Sequence, residues 1–70
     1  MKTLIFRTDI KTKRKIKEIK PVFKNNSNIV KWSIDTEDID NVLKIEVKET
    51  LNEHDVIDLI KAEGFYCDAL

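Results

Sequence analysis

Apolar residues recur along this chain at two spacings, and the switches between them mark six elements. Leu4 and Phe6 alternate with Thr3, Ile5 and Arg7, the period of a strand with one buried face, over about residues 2 to 8. Thr8, Asp9 and Ile10 end it. From about Lys13 to Lys24 the apolar positions are Ile16, Ile19, Val22 and Phe23, three to four apart, which lines one side of a helix. Pro21 has no amide proton and its ring crowds the Lys17 carbonyl, so a kink or a loosened last turn is predicted there. Asn25 to Asn28 supply turn chemistry. Val30, Trp32 and Ile34 then form a period-two row, predicting a second strand over residues 29 to 35. An acidic turn from Asp35 to Asn41 leads to Val42–Lys48, where Leu43, Ile45 and Val47 alternate with Lys44, Glu46 and Lys48. Two such strands across a short polar loop predict a hairpin.

Asn52, with Asp55 three residues on, predicts a capped helix start, and Glu53 and Asp55 put negative charge in its first turn, where the helix dipole favours it. Val56, Ile57, Leu59 and Ile60 give that helix a wide apolar face. Gly64, the only glycine, stands where a left-handed cap ends it. Phe65 to Leu70 then supply a short closing strand. The order strand, helix, strand, strand, helix, strand predicts an α+β, ferredoxin-like βαββαβ sandwich, a four-stranded antiparallel sheet with two helices on one face.

Composition narrows the picture. Seventy residues make one domain, 1–70, and a chain of that size buries only about 60% of the surface its unfolded form exposes, which leaves little room for an enzyme cleft. The apolar opening Leu4-Ile5-Phe6 is too short for a signal-peptide core, and no stretch approaches membrane-spanning length. A cytoplasmic protein is expected. The single cysteine, Cys67, excludes an intramolecular disulfide and fits a reducing compartment.

Charge adds the most. The chain is formally neutral, yet residues 1 to 31 carry ten Lys/Arg and two acids, and residues 32 to 70 carry three and eleven. Seven of the fourteen residues from Lys11 to Lys24 are basic, offset only by Glu18. They cluster at the start of the first helix, where free backbone amides already create positive potential and like charge is mildly destabilising. Lys11, Lys13, Arg14, Lys15 and Lys17 are the candidate binding residues. An anion at that end is favoured by amides, dipole and lysines together; the competing reading is a solvated lysine-rich helix face.

The ordered elements resemble the heavy-metal-associated domain, the small ferredoxin-like module of copper chaperones and metal-pumping ATPases. The likeness rests on the strand ending at Phe6 to Thr8, the segment Ile29 to Asp35, the strand Val42 to Val47, and Glu53 to Gly64 followed by aromatic Phe65. In that family the loop after the first strand carries Met-x-Cys-x-x-Cys, whose thiolates bind Cu(I) or Zn(II). In the same register this chain has Ile10 in place of the methionine, Thr12 in place of the first cysteine and Lys15 in place of the second. A threonine hydroxyl is a poor ligand for Cu(I), and a lysine ammonium has no free lone pair. The resemblance therefore implies the family's shape without its dithiolate metal site, and no cofactor is expected.

The remaining candidates have plainer readings. Cys67 is expected to face the core as a small hydrophobe. His54 is expected at the surface, with no second ligand at metal spacing. The acids from Asp35 to Asp40 lack the glycine and terminal glutamate of a calcium loop and form a solvated turn. Trp32 is expected in the core or at the rim of the sheet. No Ser/His/carboxylate set or phosphate-binding glycine loop is present, so the chain reads as no enzyme. Phe23 is the one aromatic among the basics and belongs to the apolar face, which disfavours nucleic acid. The expected function is a noncatalytic binding or adaptor module that engages an acidic protein surface, including that of another copy, through the basic helix start. Two alternatives are a metal carrier using Cys67 and His54, and an anion or nucleic-acid binder.

Overall fold

The computed structural model describes residues 1–70. Its elements are β1 (Lys2–Thr8), α1 (Lys13–Lys24), β2 (Ile29–Asp35), β3 (Val42–Val47), α2 (Glu53–Ala62) and β4 (Cys67–Ala69). The four strands form one antiparallel sheet in the order β2-β3-β1-β4. This is the ferredoxin-like arrangement that the alternation of spacings predicts. Because Phe6 pairs with Leu43 and Leu4 with Ile45, the inward residues of β1 and β3 share one face. Phe6, Leu43, Ile45 and Val47 are fully buried there, against Ile19 and Phe23 of α1 and Val56 and Ile60 of α2. Both helices lie on that face. Each such side chain contributes roughly 1.5–3 kcal/mol by leaving water.

Local chemistry explains the element ends. Asn52 and Asp55 form a reciprocal capping box: the Asn52 side chain accepts from the Asp55 amide at 3.1 Å, and the Asp55 carboxylate accepts from the Asn52 amide at 3.0 Å. At the other end of α2, Gly64 has φ +86°. Its amide donates to Lys61 and the Phe65 amide donates to Ile60, the paired bonds of a Schellman cap, and Phe65 is thereby turned onto the core.

The structure adds detail at three places. Val30 does not belong to the inward row of β2, because a bulge between Ile29 and Lys31 shifts the register. Ile29, Trp32 and Ile34 pack on the core while Val30 is 51% exposed. An extra residue in one strand reverses the facing of everything on one side of it. At Pro21, α1 runs on to Lys24, and the Asn25 amide still reaches the Pro21 carbonyl at 2.9 Å. Finally, β4 is only three residues long, and within it Cys67 is buried while Ala69 is exposed.

Candidate functional site

β1 delivers the chain to one end of the sheet, where three connections meet. The first is the segment 9–12 leading into α1; the second is the β2–β3 turn, since Thr8 donates its amide to Asp40 at 3.1 Å. The third is the α2–β4 connection, whose Tyr66 amide donates to the Asp9 carboxylate at 2.9 Å. Thr8 is a buried joint between the first two: its hydroxyl donates to the Asn41 carbonyl at 2.8 Å and accepts from the Ile10 amide at 3.2 Å. Asn41 is itself buried and has φ 46°, a left-handed conformation that asparagine tolerates better than most residues. Ile10 is fully buried. The loop that carries the basic residues is thus anchored on both sides.

Thr12 caps α1. Its side-chain oxygen accepts from the Lys15 amide at 3.2 Å, satisfying one of the free donors of the first turn. The first turn holds no acid. Lys11, Lys13, Arg14 and Lys17 are exposed and Lys15 is half-buried. The molecule has two ion pairs, Met1 with Glu49 and Arg7 with Asp40. None of these five cations takes part in either. All five therefore stand at or near one helix start with no ion-pair partner inside the chain.

The two positions that match the family's cysteines are adjacent in this geometry, as cap and third helical residue. Their chemistry does not fit a soft cation: one oxygen is already engaged by the backbone, and the other side chain is an ammonium among cations. Cys67 is 2% exposed, and burial pushes its thiol up to about 11 against the opposing pull of Lys61. His54 is exposed in the first turn of α2, seven residues from Lys61, or about 10 Å along the helix. No group of three or more His, Cys, Asp or Glu side chains is placed to hold a metal ion.

Two shallow grooves lie elsewhere. One, about 140 Å³, opens on the helix-free face of the sheet beside Lys31, Ser33, Lys44 and Glu46. The other, about 360 Å³, runs along α2 past Leu51, Asp55, Asp58 and Leu59. Neither is lined by a histidine or a cysteine. Sequence reasoning missed Thr12 as a cap, although threonine before an apolar-periodic run is a recognisable signal. It also missed Thr8, Asp9 and Asn41, whose partners lie far along the chain and leave no local pattern.

No protein-family model matches the chain, and no curated protein sequence matches it. Solved structures do. A chain described as "Crosstalk between Cu(I) and Zn(II) homeostasis" superposes with a TM-score of 0.84 at 7% identity, covering 100% of this chain and 100% of that one. A chain described as "CsoZ metallochaperone" superposes with a TM-score of 0.78 at 16% identity, covering 96% of each. The likeness is one of fold, in keeping with the architecture described above. No helix is long and apolar enough to cross a membrane.

Proposed function

We propose that this chain is a noncatalytic binding module on a metallochaperone-like fold, working in the cytoplasm, which engages an acidic protein surface through Lys11, Lys13, Arg14, Lys15 and Lys17. The observation that carries this reading is the unpaired state of those cations around a helix start that has no acid in its first turn. Lys13, Arg14 and Lys15, in the first turn, each cost about 0.3–1 kcal/mol against the helix dipole at low salt. A bound carboxylate surface offsets that cost by its own attraction to the cations and to the helix end. Lys15 stands where the resembled family has a metal-binding thiolate, so its ammonium supplies permanently the positive charge that a bound ion would bring. Docking then needs no metal.

A metal-carrier role through Cys67 and His54 has less support, since the thiol is buried and protonated and the imidazole lies near the opposite end of α2. A test uses a fluorescent poly-glutamate peptide titrated with protein and read by anisotropy. Wild type binds, weakening as salt rises and the charges are screened. Lys15→Glu combined with Arg14→Glu binds at least tenfold more weakly. Equal binding by wild type and that variant would sink the reading.

A further inference from the structure

The end of the molecule that carries the cations also carries their complement. β3 begins beside the end of β1, so the β2–β3 turn projects from the same edge as the start of α1. That turn holds Asp35, Glu37, Asp38 and Asp40, of which only Asp40 has an ion-pair partner. Between them Ile39 is 94% exposed, more than any other large apolar residue. The two patches share one end, yet neither pairs with the other inside the chain. The chain's formal charge is zero, so copies feel no net repulsion.

We propose that this end is self-complementary, and that two copies of the chain pair through it, the acidic turn of each against the basic α1 start of the other. The inference rests on the proposed role of the basic residues and names their partner. A two-fold axis lying in the plane of that end, between the two patches, brings turn to helix start twice, which closes the assembly as a dimer. Ile39 then lies on the aliphatic stems of the facing lysines, which are apolar up to the ammonium. A molecule measuring 29 × 22 × 18 Å offers on the order of 400–600 Å² per copy on one end, small for a specific interface. The pair is accordingly weak, concentration-dependent and sensitive to salt.

Sedimentation equilibrium of four proteins decides it. Wild type at low salt and near-millimolar concentration exceeds its monomer mass of 8.2 kDa and returns to it in about 0.5 M salt, where charges are screened within a few ångströms. Thr36→Lys/Glu37→Lys cuts the turn's formal charge from −4 to −1, and Lys13→Glu/Arg14→Glu cuts that of the five helix-start positions from +5 to +1; each alone is monomeric. Acids in the first turn of α1 suit the helix dipole, so the second variant folds at least as well as wild type. Mixed one to one, the two form a heterodimer. Lys20→Glu/Lys24→Glu, with the same charge change at the far end of α1, does not replace the helix-start variant in the mixture. A wild type that stays monomeric overturns the proposal, as do self-associating single variants, a mixture that stays monomeric, or a control that pairs equally well. Poly-glutamate binding by wild type distinguishes the failures: if it persists, the basic end still binds acids and only the choice of partner is wrong.

Discussion

The Thr12 hydroxyl and the Cys67 thiol carry opposite lessons about reading chemistry from single residues. Thr12 occupies a position that the family resemblance assigns to a metal-binding thiolate, and its oxygen is engaged as a helix cap. Thr12→Ala is expected to cost about 1 kcal/mol, the ordinary worth of such a cap, checked by urea denaturation. Thr12→Ser keeps the oxygen and stays close to wild type. Cys67 is buried in a strand that touches the core, and its thiol holds its proton up to about 11 rather than 9.0. The folded state therefore binds that proton more tightly than the unfolded state. Stability from this source is intact below about pH 9 and declines as the pH rises from 9 towards 11. Cys67→Ala flattens that part of the stability profile, and a profile unchanged by the substitution would contradict the assignment. Residue-scale features were legible in the sequence where their partners are local. Asn52 with Asp55 and Gly64 announce themselves within a few positions. Thr8 and Asn41 do not, because 33 residues separate them and only the fold brings them together.

Among the elements, α1 and β2 show where periodicity suffices and where it fails. The apolar spacing of Ile16, Ile19, Val22 and Phe23 is enough to place α1, and Phe23 meets Trp32 edge-on with ring centroids 5.0 Å apart. Pro21 forfeits one backbone bond, yet burial of Ile19 and Phe23 on either side holds the helix through it. In β2 the alternation Val30, Trp32, Ile34 misassigns one member, because the bulge places Ile29 inward and Val30 outward. A period-two pattern cannot reveal an inserted residue when both candidates are β-branched. The contrast is testable by thermal and urea unfolding. Val30→Asp changes stability by about 0.5 kcal/mol or less, whereas Ile29→Asp costs more than about 2 kcal/mol by putting a charge against the core. Equal effects at the two positions would restore the uninterrupted register.

For the whole molecule, the sequence reveals both the fold order and the segregation of charge, but not where the folded chain places the two charges. A linear reading divides a basic first half from an acidic second half. The fold returns part of the acidic half, the β2–β3 turn, to the end where the basic helix starts, through the antiparallel pairing of β1 with β3. The cluster of cations was legible because seven basic positions crowd one segment, whereas the joint that holds their loop was not. The solved structures share the fold at 7% and 16% identity, so the shape is compatible with widely different side chains.

The most direct measurement is a backbone-amide NMR titration of the reduced protein with Cu(I), repeated with Zn(II), following Ile10 to Lys17 separately from His54 and Cys67. The account predicts a well-dispersed spectrum that stays unchanged in both regions up to equimolar metal. Stoichiometric shifts at Ile10 to Lys17 would contradict it by showing a metal site at the helix start, and shifts confined to His54 and Cys67 would contradict it in favour of a metal carrier with other ligands.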